Sequence, residues 1–493
     1  MEDALTAPAS TAALGTRRVP VWKRVAYGTG ALGDFFIFAL VNVMLVPIYV
    51  VALKFDPRLV ALAAALPRLV GVVSDPIAGA ISDGAFTRWG RRRPFFVCGA
   101  IGCGLLMPFI WFAPAQLGQG IALCYLVVVL ILFQAVYSFF SIPYGAMGYE
   151  LSSDPDERTR ILAWCPYMIT IGSFLAPWFY WFSLRPVFQG NELVGVRWMS
   201  IVSGILVVGC GMIPALVFRQ QAARQPSRAA TTGGKVKVLE ALLETGRSRA
   251  FLLLLGAMVL VTFGVNCQGN IILYINIFHM FGGDKAAATQ LMGIAGTAIG
   301  LANFIILPAI TRLSTLWGKR SAMLLTLGMC ALGGVASWWT LSPQWPYLML
   351  VSALIGYGGM TASNLMIASM TADVCDEDEL RTGSHRAGAF ASAMGATLKA
   401  TMTVMILVGG YLPAMAGYTD LSVPPNSHQL LLMRLQNSGV QLVLPLIGMV
   451  LIWFYPLTKA RSAEIRRLIE ERRTRGLLAT SSGSAPGGGI PGG

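Results

Sequence analysis

Long apolar runs broken by short polar ones fill this chain from residue 25 to residue 457. Twelve are legible, at approximately 25–53, 59–83, 94–114, 120–149, 160–182, 198–218, 250–280, 286–310, 321–341, 346–371, 388–416 and 430–457. Each holds about 20 residues or more, enough at a rise of about 1.5 Å per residue to span a hydrocarbon core of about 30 Å. Backbone amides in such a core must bond within their own segment, so the runs predict helices. A polar stretch after the sixth run divides them. The predicted organisation is a polar tail at 1–22, a six-helix bundle at 23–218, and a polar central loop at 219–249. A second six-helix bundle follows at 250–457, then a basic and finally disordered tail at 458–493. The fold class is all-α: a membrane protein of twelve transmembrane helices in two bundles.

The pattern is interrupted most sharply in the second run and the loop after it, LPRLVGVVSDPIAGAISDGAFTRWGRRRPF, from Leu66 to Phe95. Arg68 and Asp75 lie inside the run, where a charged side chain costs about 2.5–3.5 kcal/mol at mid-depth. Seven residues set them two turns apart on one helix face, with Gly71 between them. Pro76 cannot donate to the carbonyl four residues back, which leaves the Val72 oxygen free near Asp75. A charged, kinked, glycine-lined stripe suits a solute pathway better than a lipid-facing surface. Lys399, in the eleventh run, is a third mid-span charge and needs a counter-charge, for which Asp75 and Asp34 are the candidates.

Composition agrees with the pattern. The chain is 55% hydrophobic and 12% charged, with mean hydropathy +0.64, about half the charge of a soluble domain. A net charge of +14 raises the possibility of nucleic acid. Most Lys and Arg, however, fall on the side of the membrane shared by the two tails and the central loop. That bias is the positive-inside rule, so both termini are predicted cytoplasmic in a plasma or inner membrane. Nucleic-acid binding has no further support. The first twenty residues have no apolar core and are no signal peptide. The 8 cysteines fall in or at the ends of runs without a Cys-x-x-Cys pair, and the 3 histidines have no metal spacing. No hydrolase, zincin or phosphate-loop signature occurs. Neither an enzyme nor a cofactor is indicated. The expected partners are a small-molecule solute and the lipid bilayer, and the chain reads as a monomer.

The halves repeat. TRWGRR at 87–92 is echoed by TLWGKR at 315–320, each between the second and third runs of its half. YELSSDPDERTR at 149–160 is echoed by ADVCDEDELRTG at 372–383, with Glu150 matching Asp373 and Arg158 matching Arg381. Parallel repeats of this kind mark transporters whose site lies between the halves near the midplane.

SDPIAGAISD…TRWGRRRPF, IPYGAMGYELSSDPDERTRI and ADVCDEDELRTG followed by Lys399, in that order, resemble the glycoside–pentoside–hexuronide:cation symporter family. This is the melibiose-carrier-like branch of the major facilitator superfamily. YGTGALGDF at 27–35 resembles the start of that family's first helix. The resemblance spans nearly the whole chain. It implies two six-helix bundles, alternating access, and sugar uptake driven by sodium or protons; the family also contains lysophospholipid carriers. Asp75 and Lys399 match its pattern, and its first-helix acid appears as Asp34, one position displaced. Gly71 and Ser141 stand where melibiose-type members carry aspartates, and Pro166 falls near the place of a sugar-binding arginine.

Three sets of candidates follow. Asp75, Asp34 and Lys399 form the cation-coupling set. A hard cation wants several oxygens, whereas one desolvated carboxylate suffices for a proton, so the single acid here favours a co-transported proton over sodium. The substrate set is Tyr27, Asp34, Arg68, Tyr144, Trp164, Tyr167, Asn266, Asn270, Asn364 and Lys399, which combine aromatic faces with amides and charges. Asp83, Arg91, Arg92, Arg93, Glu150, Glu157, Arg158, Asp373, Asp376 and Arg381 form the gating set, able to make charge pairs in one state and release them in the other. The expected function is cation-coupled symport of a sugar or glycoside. A carrier of a lipid-like amphiphile and a membrane sensor that does not transport are the alternatives.

Overall fold

The computed structural model describes residues 19–85, 87, 89, 90, 92–151, 155–188, 190–218, 248–267, 269–382, 387–418, 423–465, 467–469 and 471. Side chains are outside the description at 115, 149, 150, 155, 156, 158, 159, 270 and 387–389. Arg91, most of the central loop and the far tails therefore lie outside the described residues, and Glu150, Arg158 and Asn270 are described by backbone alone.

Among the described residues twelve helices are long and apolar enough to cross a membrane. They are α1 (Val21–Ala52), α2 (Pro57–Gly84), α3 (Arg93–Trp111), α4 (Gln119–Gly148), α5 (Arg160–Ser183) and α6 (Glu192–Val217) in the first half. The second half contributes α7 (Arg249–Met280), α8 (Lys285–Trp317), α9 (Lys319–Thr340), α10 (Pro346–Thr382), α11 (Phe390–Met415) and α12 (Ser427–Trp453). The twelve-helix expectation is borne out. Its ends are set by capping chemistry that hydrophobicity does not register. Asp56, Asn191, Ser248, Asp284 and Asn426 cap α2, α6, α7, α8 and α12 by accepting bonds from first-turn amides. Asn191 thus starts α6 ahead of its apolar run. At the other extreme α8 and α10 continue past theirs, because a helix whose last turns carry Arg312 or Asp373 and Asp376 can leave the apolar layer without unwinding.

Within the first bundle α1 packs on α5 and α6, α2 on α4, and α3 on α4 and α6; within the second, α9 and α10 pack on each other and α12 on α7 and α9. The bundles meet along two seams, α2 against α11 and α5 against α8. Even helix counts in each half put the start of α1 and the end of α12 on one face, here the terminal face; the loops after α1, α3, α5, α7, α9 and α11 define the distal face.

The two faces differ. Near the distal face one continuous apolar core joins Leu40, Ile48 and Tyr49 of α1 with Ile271, Tyr274 and Ile277 of α7, Leu291 of α8 and Leu412 of α11. Toward the terminal face the second bundle has a core of its own, built on Phe251, Leu254, Met323, Met366 and Phe390. The bundles are sealed at the distal face and part toward the terminal one. Small residues make the seal possible: a Cβ on Gly410 of α11 would strike Ala61 of α2, and one on Gly296 of α8 would strike Pro177 of α5. The first helix of each half also ends in a π segment at this face, Pro47–Ala52 and Ile275–Met280.

Candidate solute and cation site

Ala61, Arg68 and Asp75 are spaced by seven and share one face of α2. That face looks into the seam, since Ala61 abuts Gly410 and Asp75 meets Lys399, both of α11. The Lys399 ammonium donates to Asp75 Oδ2 at 2.8 Å. Ser138 of α4 donates to Asp75 Oδ1 at 2.7 Å and lies 2.7 Å from the Ser74 hydroxyl. With its one hydrogen given to Asp75, Ser138 accepts from Ser74. Asp75 is thus held by one donor from its own bundle and one from the other. The two partners are unequal. Ser138 is fully buried, whereas the Lys399 side chain is 71% exposed.

Arg68, two turns nearer the distal face, has a different environment. One guanidinium nitrogen donates to Asn42 Oδ1 at 2.8 Å, and the group lies 5.4 Å from the Phe38 ring centroid. Both partners belong to α1 and both side chains are exposed. Asp34, Phe38 and Asn42 follow at intervals of four, so α1 presents an acid, a ring and an amide on one stripe. The Tyr137 and Ser141 hydroxyls of α4 face the Asp34 carboxylate, and its Oδ1 is buried without a partner among the described residues. In α4, Gln134, Tyr137, Ser138 and Ser141 form the matching polar stripe.

The profile of the MFS/sugar transport protein family matches residues 26–459 of this chain. The chain belongs to that family. A putative glycoside/cation symporter of Escherichia coli K12 is 23% identical over 463 residues, covering 94% of this chain and 98% of the relative. The isoprimeverose transporter of Lactiplantibacillus pentosus is 23% identical over 416 residues, covering 83% and 84%. Among solved structures, a D-xylose–proton symporter superposes with a TM-score of 0.60 at 16% identity, covering 89% of this chain and 98% of that one. At that identity the likeness is one of fold.

Within this family member the structure gathers some of the candidates and disperses others. Asp75, Lys399, Arg68 and Asp34 come together around the α1, α2, α4 and α11 stripes. Tyr27 and Tyr144 do not join them. Their rings stack on each other at 4.9 Å, each hydroxyl bonds the other residue's carbonyl, and both side chains are buried. No ring face remains for a solute, so these two are packing residues between α1 and α4. Trp164 and Tyr167 of α5 lie 5.7 Å apart, with Tyr167 59% exposed. Asn266 of α7 spends its amide on the Thr262 carbonyl and the Met360 sulfur; Asn364 of α10 is exposed. The gap beside Gly71 is taken up by the Gln134 side chain, whose amide lies 2.9 Å from where a Cβ would be.

The gating candidates make their described pairs inside single bundles. Arg92 binds Asp83 at 2.8 Å, and Glu157 binds Arg24 at 3.0 Å and the Val19 amide at 2.9 Å. In the second bundle Lys319 binds Asp373 at 2.8 Å and Arg381 binds Asp378 at 3.2 Å; Asp376 lies half-buried on the same stretch of α10. Besides Asp75–Lys399, a second described ion pair crosses the bundles, at the distal face: Lys285 at the start of α8 to Glu192 at the start of α6, at 2.6 Å, with Tyr180 also donating to Glu192 at 3.0 Å. Beside it the Trp178 indole donates to Thr297 at 2.9 Å across the α5–α8 seam. Sequence reasoning missed Glu192, Lys285, Ser138 and Asn42. The two polar stripes were available as a period of four or seven within apolar runs; the distal pair had no such signal.

Proposed function

We propose that this protein is a secondary transporter that moves a sugar or glycoside together with a cation by alternating access. The observation that carries the reading is the Asp75–Lys399 contact, a charge pair at mid-depth that ties one bundle to the other. Ionised Asp75 attracts both Ser138 and Lys399. Once a proton or metal cation neutralises it, the bond from Ser138 remains possible, but the attraction for Lys399 falls away. Cation arrival then weakens a tie between the bundles while leaving the first bundle intact, which is what coupling requires. Asp75 with Ser138, and Asp34 with Tyr137 and Ser141, are the proposed cation residues. One carboxylate per position favours a proton over sodium. Glycoside and isoprimeverose in the names of the two relatives support a sugar-type solute, and the Arg68, Asn42, Asn364 and Tyr167 side chains supply the donors and ring faces such a solute needs.

The termini and central loop are proposed to be cytoplasmic on the charge bias of the loops, which makes the terminal face the inner one and this conformation inward-facing. The chain is proposed to act as a monomer. The test is Asp75→Asn in proteoliposomes. Uphill accumulation driven by a cation gradient should be lost, while exchange of solute across the membrane survives. Accumulation at the wild-type level would place the coupling site elsewhere.

A further inference from the structure

A cavity of about 50 Å³ lies within the second bundle, walled by α7, α9, α10 and α12. Among the described residues its wall carries no charged group, yet it is polar. Asn437 and Gln441 of α12, one turn apart on one face, are 3% and 7% exposed. A carboxamide offers two N–H donors and an oxygen that accepts twice. Of all those positions the described residues fill one: the Asn437 amide donates to the Ser337 hydroxyl of α9 at 3.4 Å. The Gln441 amide reaches between Gly333 of α9 and Gly356 of α10, where a Cβ on either would crowd it. Ser352 of α10 adds a hydroxyl that donates to the Met349 carbonyl and accepts from Thr340.

The fold does not demand this polarity. Trp111 and Trp338 mark the same place in the two halves, since the carbonyl of each accepts from the arginine of its half's sixth helix, Arg197 or Arg434. In the first bundle Met44, Ile110, Leu126 and Leu130 of the matching helices α1, α3 and α4 are buried in one apolar core. Buried amides left unbonded are costly, so the polar wall of the second bundle calls for a ligand. Charge and size identify it. A wall without a charged group suits neither a metal cation nor an anion. Each water needs about 10–15 Å³ of such a cavity, so the volume takes about three or four waters and no monosaccharide ring.

The remaining wall is α7. Its Ile271, Tyr274 and Ile277 belong to the distal seal, while Ile272, on the opposite side of the helix, lines the cavity. Asn276, one turn beyond Ile272, is fully buried, and neither of its amide atoms has a partner among the described residues. Opening the distal face takes this segment off the first bundle and back into its own. Close-packed side chains resist such a retreat, whereas bound waters can leave. We propose that the cavity binds a cluster of about three or four water molecules through Asn437, Gln441 and Ser337, and that their displacement gives the distal half of α7 room to retreat. The role in opening rests on the alternating-access reading above.

Hydroxyl-radical footprinting by X-ray radiolysis of the full chain in nanodiscs reads the waters directly, because a radical born from a bound water oxidises the side chain beside it. Met349 lines the cavity at 7% exposure, while Met199, at 9%, and Met366, at 2%, lie in the apolar cores of the two bundles. Met349 should oxidise at least about fivefold faster than either. An equal rate overturns the inference, and this comparison needs no variant. Filling the cavity with Asn437→Leu and Gln441→Leu together should bring Met349 down to the rate of the controls. Spin labels at Val187→Cys and Trp345→Cys, exposed distal positions in opposite bundles, read opening without any solute. The paired variant, or Gln441→Leu alone should the pair fail to fold, should lower the distally open fraction at least about fivefold. A distance distribution matching that of the unsubstituted protein overturns the role in opening. Neither measurement uses a solute, so both results are separate from the loss or survival of coupled transport.

Discussion

The distal ion pair gives the most direct measure of how the two bundles are balanced. Lys285 and Glu192 approach to 2.6 Å with side chains 31% and 14% exposed. That places the pair between a solvated surface bridge, worth about 0.2–1 kcal/mol, and a buried one, whose rupture costs about 3–5 kcal/mol. Lys285 also opens α8, where the helix dipole disfavours a cation by a few tenths of a kcal/mol, and Tyr180 keeps Glu192 partly bonded once the lysine is gone. The net coupling is therefore about 1–2 kcal/mol, a factor of about 5–30 in an equilibrium. Because the pair joins the bundles at their sealed face, Lys285→Met should shift the ratio of distally closed to distally open molecules by that factor toward open. The assay is a distance distribution between spin labels at Val187→Cys and Trp345→Cys, two exposed distal positions in opposite bundles, in a background freed of the native cysteines. A double-mutant cycle with Glu192→Gln isolates the pair from the dipole. If Lys285→Met leaves the distribution superimposable on that of the unsubstituted protein, or the cycle shows additive effects, the pair is a surface contact and does not hold the distal face shut.

Other outcomes follow from the same geometry. Ser138→Ala removes the buried donor that favours the ionised Asp75 carboxylate and should tighten proton binding about tenfold, as loss of a bond to a charged group of about 1.5 kcal/mol implies; proton titration of transport reads it, and unchanged affinity would remove Ser138 from the site. Gly296→Val should prevent α5 and α8 from closing, giving protein that folds and inserts but transports below a tenth of the normal rate. At the α2 N-terminus Arg58 holds the Asp56 carboxyl below its ordinary range by hydrogen bonding. The lowered value means that its stabilisation is present above the ordinary aspartate pKa and fades as pH falls below about 4. Asp56→Ala should cost about 0.5–1 kcal/mol at neutral pH, the low end of the N-cap range for a partly exposed site, and progressively less in a melting series as the pH falls below the ordinary aspartate range.

Sequence and structure part company in instructive places. The helices were legible because a bilayer forces twenty apolar residues in a row. The Asp75–Lys399 contact was legible because two opposite charges in such runs must find each other. Tyr27 and Tyr144 were misread because a tyrosine in an apolar run carries no mark of which side it faces; the small residues Gly30 and Gly148 beside the two rings decide that they turn inward on each other. At Gly71 the sequence is silent for a related reason, since a glycine shows that something comes close without saying what, and here it is Gln134. Glu192 and Lys285 carry no signal at all in the sequence, as a pair formed between helices from different halves has no period along the chain.

The π segments at the distal ends of α1 and α7 lie 228 residues apart, the same offset that relates TRWGRR to TLWGKR. A π turn is an α turn holding one residue more than it needs. PIYVVA and INIFHM, the two stretches that form it, share no identical position. The spare residue falls at the same place in both halves, so the internal repeat extends to a detail of backbone form at a stretch where no residue identity marks it.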